Sequence, residues 1–308
     1  MQPIRVDRVS KNYGNIQAVK NVSFQVNEGE IFGLIGPDGA GKTTIMRMIV
    51  SLLLADSGQI FFMDKGVAGN NMFVRSNIGY MPQRFSLYQD LSVEENLHFF
   101  GDLFDVKKEI QHKRLEQLYE FSRLGPFKKR FAGALSGGMK QKLALSCMLM
   151  HEPQVMVLDE PTFGVDPVSR IEFWDILGRL KRDGITLIVS TPYMDEAERC
   201  DRIALIHEGQ ILALESPHKI ISDYPYPIYR LQSLSPHIEF NKLKNSLMEE
   251  NIQLFADGVH LIDRKNDGVE SMQKTIEKIL EKEIHLQPVQ VGLENIFLDL
   301  MHTKKEMQ

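Results

Sequence analysis

Val22–Val26 alternates apolar and polar residues, and with the shorter Val6–Val9 it predicts two strands flanking a Gly14-Asn15 turn signal. Glu30–Ile35 is apolar throughout after Glu30, is of strand length and ends in a glycine-rich loop. Thr43–Leu54 follows with apolar residues at helical spacing. Strand, glycine loop and helix form half of a βαβ unit, and such units build parallel sheets. Asn77–Gln83 reads as another strand edge closed by Pro82. Ser92–Leu124 turns helical, with Ser92 and Glu95 spaced as a capping box, and a second helix is expected over Gly138–Met150. Strand patterns return at Val155–Leu158, Thr186–Val189 and Arg202–Ile206, so a mostly helical insert of about 87–150 splits an α/β core.

Ser222–Pro227 holds two prolines and cannot continue a helix, which marks a linker. Beyond it the pattern reads strand (Tyr229–Gln232), helix (Pro236–Glu249), strand (Ile252–Phe255), an Asp257-Gly258 turn and strand (Val259–Ile262). A helix (Val269–Glu281) and a strand (Ile284–Val289) complete a β-α-β-β-α-β order, the ferredoxin-like pattern, before a last amphipathic helix over Leu293–Met301. His237, His260 and His285 are scattered there and do not make a metal site. This tail is expected to dock or to stabilise a dimer.

Composition fits that division. The chain has 308 residues, which sets a prior of about two domains. At 43% hydrophobic and 25% charged it is neither disordered nor fibrous. A net charge of −5 gives no electrostatic reason to expect nucleic acid as a partner. Cys147 and Cys200 are too few for a disulfide framework, so a reducing compartment is expected. The most apolar segment, Ile45–Ala55, is about half of what a bilayer needs and is interrupted by Arg47 and Ser51. Met1–Arg5 has no apolar run behind it, so no signal peptide is expected. These features point to a cytoplasmic protein.

Gly36-Pro37-Asp38-Gly39-Ala40-Gly41-Lys42-Thr43 fits G-x-x-x-x-G-K-[ST]. Glycines let successive backbone N–H groups curl around a polyphosphate, Lys42 reaches the β/γ-phosphates, and Thr43 offers a hydroxyl to Mg²⁺. The helix that begins near Lys42 adds its dipole to the phosphate site. The carboxylate partner should end a buried strand, and Val155–Leu158 leads directly into Asp159 and Glu160. Asp159 would hold Mg²⁺, directly or through water. Glu160 either polarises a water for in-line attack on the γ-phosphate or is an ordinary acidic residue near a helix start.

Leu135-Ser136-Gly137-Gly138-Met139-Lys140-Gln141 resembles the LSGGQ signature of ABC transporter ATPases and precedes Asp159 at that family's spacing. A serine and two glycines at a helix N-terminus offer N–H donors to a second anion. The resemblance covers residues 4 to about 220. It implies two ATP-binding domains packed head to tail, each signature completing the partner's ATP site, with Ser136, Gly137, Gly138 and Gln141 contributing to it. It also implies that Thr44 belongs to the phosphate loop and that Tyr13, in Lys11-Asn12-Tyr13-Gly14, stacks on adenine unless it is a core tyrosine. Gln83 is similar to the glutamine that senses Mg²⁺ and joins core to insert, and Asp166 to the aspartate that crosses the dimer interface. The cofactors implied are ATP and Mg²⁺, with metal contacts from Thr43, Gln83 and Asp159.

Pro192, in Ser190-Thr191-Pro192-Tyr193, stands where the family has a histidine touching the γ-phosphate. Proline has neither a side-chain donor nor an N–H. Either this chain's own site hydrolyses slowly, in an asymmetric pair, or Ser190, Thr191 or a water takes over. The segments Tyr88–Leu97, Tyr193–Glu198 and Gly292–Leu298 resemble multidrug-type exporter ATPases. The expected protein is therefore an ATPase subunit at the inner face of the membrane, driving export through a separate integral membrane subunit. A soluble family member of translation or repair, and a regulator that binds ATP with little turnover, are the alternatives. A GTPase has no role for the signature segment. The expected fold is α/β, a P-loop NTPase core (1–221) with an antiparallel β subdomain and a helical insert, followed by a small C-terminal α+β (ferredoxin-like) domain (228–308).

Overall fold

A computed structural model describes all residues except 85, 86, 234, 249, 250 and 306–308. The chain divides into two compact units, Met1–Ser216 and Pro217–Gln308.

The first unit opens with a long antiparallel hairpin, β1 (Ile4–Tyr13) and β2 (Ile16–Val26), turning at Gly14-Asn15. Both strands run well beyond the segments the alternation marks, since main-chain pairing continues through polar residues that stay exposed. Two strands that the sequence reading misses, β4 (Ser57–Phe62) and β5 (Lys65–Gly66), complete an antiparallel sheet of order β2-β1-β4-β5. Between β2 and β4 come β3 (Ile31–Ile35) and α1 (Lys42–Ile49). Helix α1 is shorter than the apolar spacing suggests: Ser51 sits at φ 59° and the chain turns there.

The second sheet has order β10-β9-β3-β8-β7-β6, where β6 is Ile78–Met81, β7 Val155–Asp159, β8 Thr186–Thr191, β9 Arg202–His207 and β10 Gln210–Glu215. The strands β6, β7, β8, β3 and β9 run parallel, and β10 returns antiparallel at the edge. Every residue of β3, β7 and β8 is buried, which is why they read as unbroken apolar runs. Phe24 stacks on Phe32 at 5.1 Å, joining the two sheets in one core. The carboxyl ends of β3, β7 and β8 lie side by side, where a doubly wound sheet keeps its ligand crevice.

Helix α2 (Asn71–Asn77) precedes β6. The insert carries α3 (Val93–Leu103), α4 (Lys108–Ser122) and α5 (Gly137–Leu149). The capping box forms as expected: the Glu95 N–H donates to Ser92 Oγ at 3.2 Å, and the Ser92 N–H donates to Glu95 Oε2 at 2.7 Å. The helical pattern of 92–124 is two helices rather than one, broken where Asp105 takes φ 54°. Helix α6 (Pro167–Arg182) links β7 to β8, and the short α7 (Met194–Ala197) leads to β9.

The second unit begins at α8 (Pro217–Ser222), earlier than the expected boundary at 221, because α8 packs against the last helix, α11 (Leu293–Lys305). Between them lie β11 (Ile228–Leu231), α9 (Pro236–Lys244), β12 (Ile252–Phe255), β13 (Gly258–Ile262), α10 (Val269–Leu280) and β14 (Leu286–Pro288). The strands pair antiparallel in the order β12-β13-β11-β14. Helix α9 ends before the expected Glu249, which lies outside the described residues. Leu231, Leu243, Val259, Leu261, Ile276 and Leu286 are among the residues of this unit's own core. Among the described residues, no helix is long and apolar enough to cross a membrane.

Candidate functional site

The loop Gly36–Gly41 bridges the end of buried β3 and the start of α1. Gly41, the residue before the helix, takes φ 103°, and a Cβ there would lie 2.5 Å from the Ala18 carbonyl oxygen. Only glycine accepts both the backbone and the approach. The Gly209 N–H donates to Ala40 O at 3.0 Å, so the β9–β10 turn holds the loop from outside. A cavity of about 450 Å³ opens over Asp38–Thr44, lined also by Ala18, Gln83 and Glu160. Ala18 and Gly209 escape the sequence reading, since neither carries a chemical signal and both act through backbone atoms.

Lys42 is buried. Its Nζ donates to Gly36 O at 2.8 Å and Pro37 O at 3.0 Å, and lies 3.1 Å from Glu160 Oε1. The two side chains are only 3% and 4% exposed, so the loop's cation and the carboxylate after β7 form one buried ion pair. Gln83 Nε2 donates to Glu160 Oε2 at 2.7 Å, which ties the segment after β6 to the same carboxylate. The Glu160 backbone lies in the left-handed region at φ 48°. Its N–H is held by Ser190 Oγ at 3.0 Å and Ser190 O at 3.2 Å, enough to fix a strained residue.

Asp159 Oδ1 accepts from Thr43 Oγ1 at 3.1 Å and from Ser190 Oγ at 2.7 Å. Its Oδ2 is buried without a partner. A buried carboxylate oxygen left unpaired is costly. A free carboxylate oxygen beside a threonine hydroxyl is the donor set a hard divalent cation takes. Gly36, Pro37, Asp38, Gly39, Ala40, Gly41, Lys42, Thr43, Thr44, Gln83, Asp159 and Glu160 thus come together at one end of the sheet.

The signature residues stand apart from this cluster. Ser136 caps α5, its Oγ accepting from the Met139 N–H at 3.3 Å. Gly138 packs so closely that a Cβ would lie 2.6 Å from the Ser169 side chain. Gly137 and Gln141 line a separate cavity of about 200 Å³ that also reaches Gln83, but not the phosphate loop. Asp166 caps α6 by accepting from the Ser169 N–H at 2.9 Å, and its hydrogen bonds to Ser169 hold its carboxyl below the usual range. Both Ser136 and Asp166 are exposed, as are Phe163 and Val168 beside them. Tyr13 is 48% exposed at the end of β1, so it is not a core tyrosine, and it does not line the 450 Å³ cavity.

Pro192 directly follows β8. The hydroxyls beside it are already engaged: Ser190 donates to Asp159, and Thr191 Oγ1 donates to Glu196 Oε2 at 2.6 Å and accepts from the Tyr193 N–H at 3.1 Å.

Residues 19–163 match the family model "ABC transporter". A probable multidrug ABC transporter ATP-binding protein of Escherichia coli (strain K12) is 46% identical over 200 residues, 65% of this chain and 35% of its own length. The chain therefore spans about a third of that relative. The Nod factor export ATP-binding protein I of Rhizobium sp. (strain N33) is 41% identical over 217 residues, 70% of this chain and 71% of the relative. An ATP-binding cassette of an ABC transporter, solved in its ADP conformation, superposes with a TM-score of 0.65 at 28% identity, covering 72% of this chain and 96% of that one. A dimeric cassette in a post-hydrolysis state with ADP and Pi gives 0.63 at 26% identity, over 69% and 98%. The loop with its paired carboxylates, the helix-capping signature and these likenesses agree, and the chain belongs to the ABC transporter ATP-binding family.

Proposed function

We propose that this chain binds and hydrolyses ATP with Mg²⁺ to drive export through a separate integral membrane subunit. The observation that carries the reading is the buried Lys42–Glu160 pair at 3.1 Å, with Gln83 on the other carboxylate oxygen, facing a cavity lined by the phosphate loop. In this reading Lys42 and the loop N–H groups bind the phosphates, and Thr43, Asp159 and Gln83 hold Mg²⁺. The ion, when bound, neutralises charge that develops on the phosphoryl oxygens. Glu160 orients and deprotonates the attacking water, and Lys42 is the group it must release when phosphates draw the ammonium away.

The same reading assigns Tyr13 to the adenine and gives Ser136, Gly137, Gly138, Gln141 and Asp166 to a second ATP-binding domain packed head to tail. The exposure of Ser136, Gly137 and Asp166 and the separation of the signature from the loop support that assignment. The chain would sit on the cytoplasmic face of the membrane, held by its membrane subunit. The C-terminal unit is read as a ferredoxin-like module; its β-α-β-β-α-β order and antiparallel sheet support this. The occupied Ser190 and Thr191 hydroxyls favour a site slowed by Pro192 and a non-identical second ATPase half. They also keep alive the alternative of an ATP-binding regulator with little turnover.

Glu160→Gln decides between them. With Mg-ATP, and with the membrane partner retained by mild extraction, the substitution should lower kcat by about 10²–10⁴. Unchanged ATPase and unchanged transport would favour the regulator.

A further inference from the structure

Glu196 is 2% exposed and touches neither the phosphate-loop cavity nor any residue assigned above to nucleotide. Three segments nevertheless converge on its carboxylate. Thr162 Oγ1 donates to Oε1 at 2.7 Å, two residues beyond Glu160. Thr191 Oγ1 donates to Oε2 at 2.6 Å, immediately before Pro192. Arg170 Nε donates to Oε1 at 3.1 Å from the first turn of α6, four residues beyond Asp166. The Arg170 guanidinium also lies 4.1 Å from the centre of the Tyr193 ring and 3.4 Å from Asp195 Oδ2.

A buried carboxylate binds its donors strongly, because an unpaired charge at that depth is expensive. The carboxylate therefore fixes three things in one frame: the strained turn after Glu160, the start of α6, and the segment that carries Pro192.

We propose that Glu196 is a positioning residue, the latch through which α6 and the Pro192 segment set the angle of the Glu160 carboxylate. The proposal rests on the hydrolytic role given to Glu160 above. In this chain the latch acts where the γ-phosphate histidine is absent: a displacement of α6 reaches Glu160 through Arg170, Glu196 and Thr162 without any side chain at position 192. It also explains why Thr191 does not substitute for the missing donor, since its hydroxyl belongs to the latch.

The test uses the full chain and two measurements. Glu196→Gln and Thr162→Val should each lower kcat for ATP by about tenfold or more, with KM changed less than about twofold, since neither residue lines the cavity. Thr162→Ser, which keeps the hydroxyl, should restore kcat. The double variant should be no slower than Glu196→Gln alone. Hydrogen exchange without nucleotide gives the independent arm: Glu196→Gln should loosen residues 160–170 and 191–196 together.

Equal losses in KM and kcat, additive losses in the double variant, or exchange rising in one segment alone would each overturn the latch. A wild-type chain that fails to turn over ATP would instead sink the hydrolytic reading, and the exchange result would still decide the latch. Should Glu196→Gln fail to fold, Thr162→Val leaves the Arg170–Glu196 pair intact and carries the kcat test with its serine rescue.

Discussion

Substituting Lys42, proposed above to bind the phosphates, should also destabilise the protein. The ammonium is 3% exposed, 3.1 Å from a Glu160 carboxylate that is 4% exposed. Lys42→Met keeps much of the side chain's bulk and removes the charge, leaving Glu160 buried with Gln83 as its remaining side-chain donor. Losing one partner of a buried pair costs about 3–5 kcal/mol. Glu160→Gln is milder, about 1–3 kcal/mol, since Lys42 keeps the Gly36 and Pro37 carbonyls. In the double variant neither charge is stranded, so the cost should fall short of the sum by about 2 kcal/mol or more. Trp174, the one tryptophan of the chain, is buried in α6 of the first unit and reports that unit's unfolding. With a urea slope of about 2–3 kcal/mol/M, Lys42→Met should move the midpoint by about 1–2 M in nucleotide-free protein. Single costs that add to within about 0.5 kcal/mol, or a midpoint that Lys42→Met leaves in place, would refute the buried-pair account.

Two further outcomes follow from particular residues. Pro192→His should raise the ATPase rate of the purified chain, by up to about 10²-fold if the imidazole reaches the transition-state charge; brisk wild-type turnover with no gain refutes the slowed site. Burial holds His151, stacked on Phe104 at 3.9 Å, down to about 4 from 6.5. The unfolded chain then binds the extra proton first, so this contribution to stability is complete above pH 6.5 and is lost as pH falls towards 4. His151→Phe should flatten the pH dependence of the Trp174-monitored midpoint across that window, and an unchanged slope counts against it.

What the sequence discloses here is what a short stretch of chain determines locally. The phosphate loop is legible because glycine spacing, a buried strand before it and a helix after it are all local, and the structure puts them where the pattern says. The capping box at Ser92 and the Gly14-Asn15 turn are local in the same sense. Strand β4 is not: half of Ser57–Phe62 is exposed, and its partner is β1, some fifty residues away, so the pairing that makes it a strand is absent from its own pattern. Helix α6 is a different case, since an Asp166 N-cap, Pro167 and apolar residues at 173, 174, 177 and 180 are all signals that a closer reading would use. The break at Asp105 hides in a continuous helical pattern because a left-handed non-glycine residue leaves no mark in periodicity.

The roles at the end of β8 lie furthest from the sequence. Ser190 and Thr191 look like spare hydroxyls beside Pro192, equally able to donate to a phosphate. Only the fold shows that both are spent inward, one on Asp159 and Glu160, the other on Glu196. Those contacts hold the machinery in position, so a hydroxyl cannot turn towards the cavity without releasing a carboxylate it supports. These contacts support the proposal that Ser190 and Thr191 leave the missing histidine uncompensated. Ser136 and Asp166 are by contrast intact and exposed. On the reading proposed above, a chain with Pro192 in place of the γ-phosphate donor but with Ser136, Gly137 and Gly138 of the signature retained would complete another subunit's site better than it runs its own. That asymmetry is what the Pro192→His measurement reads.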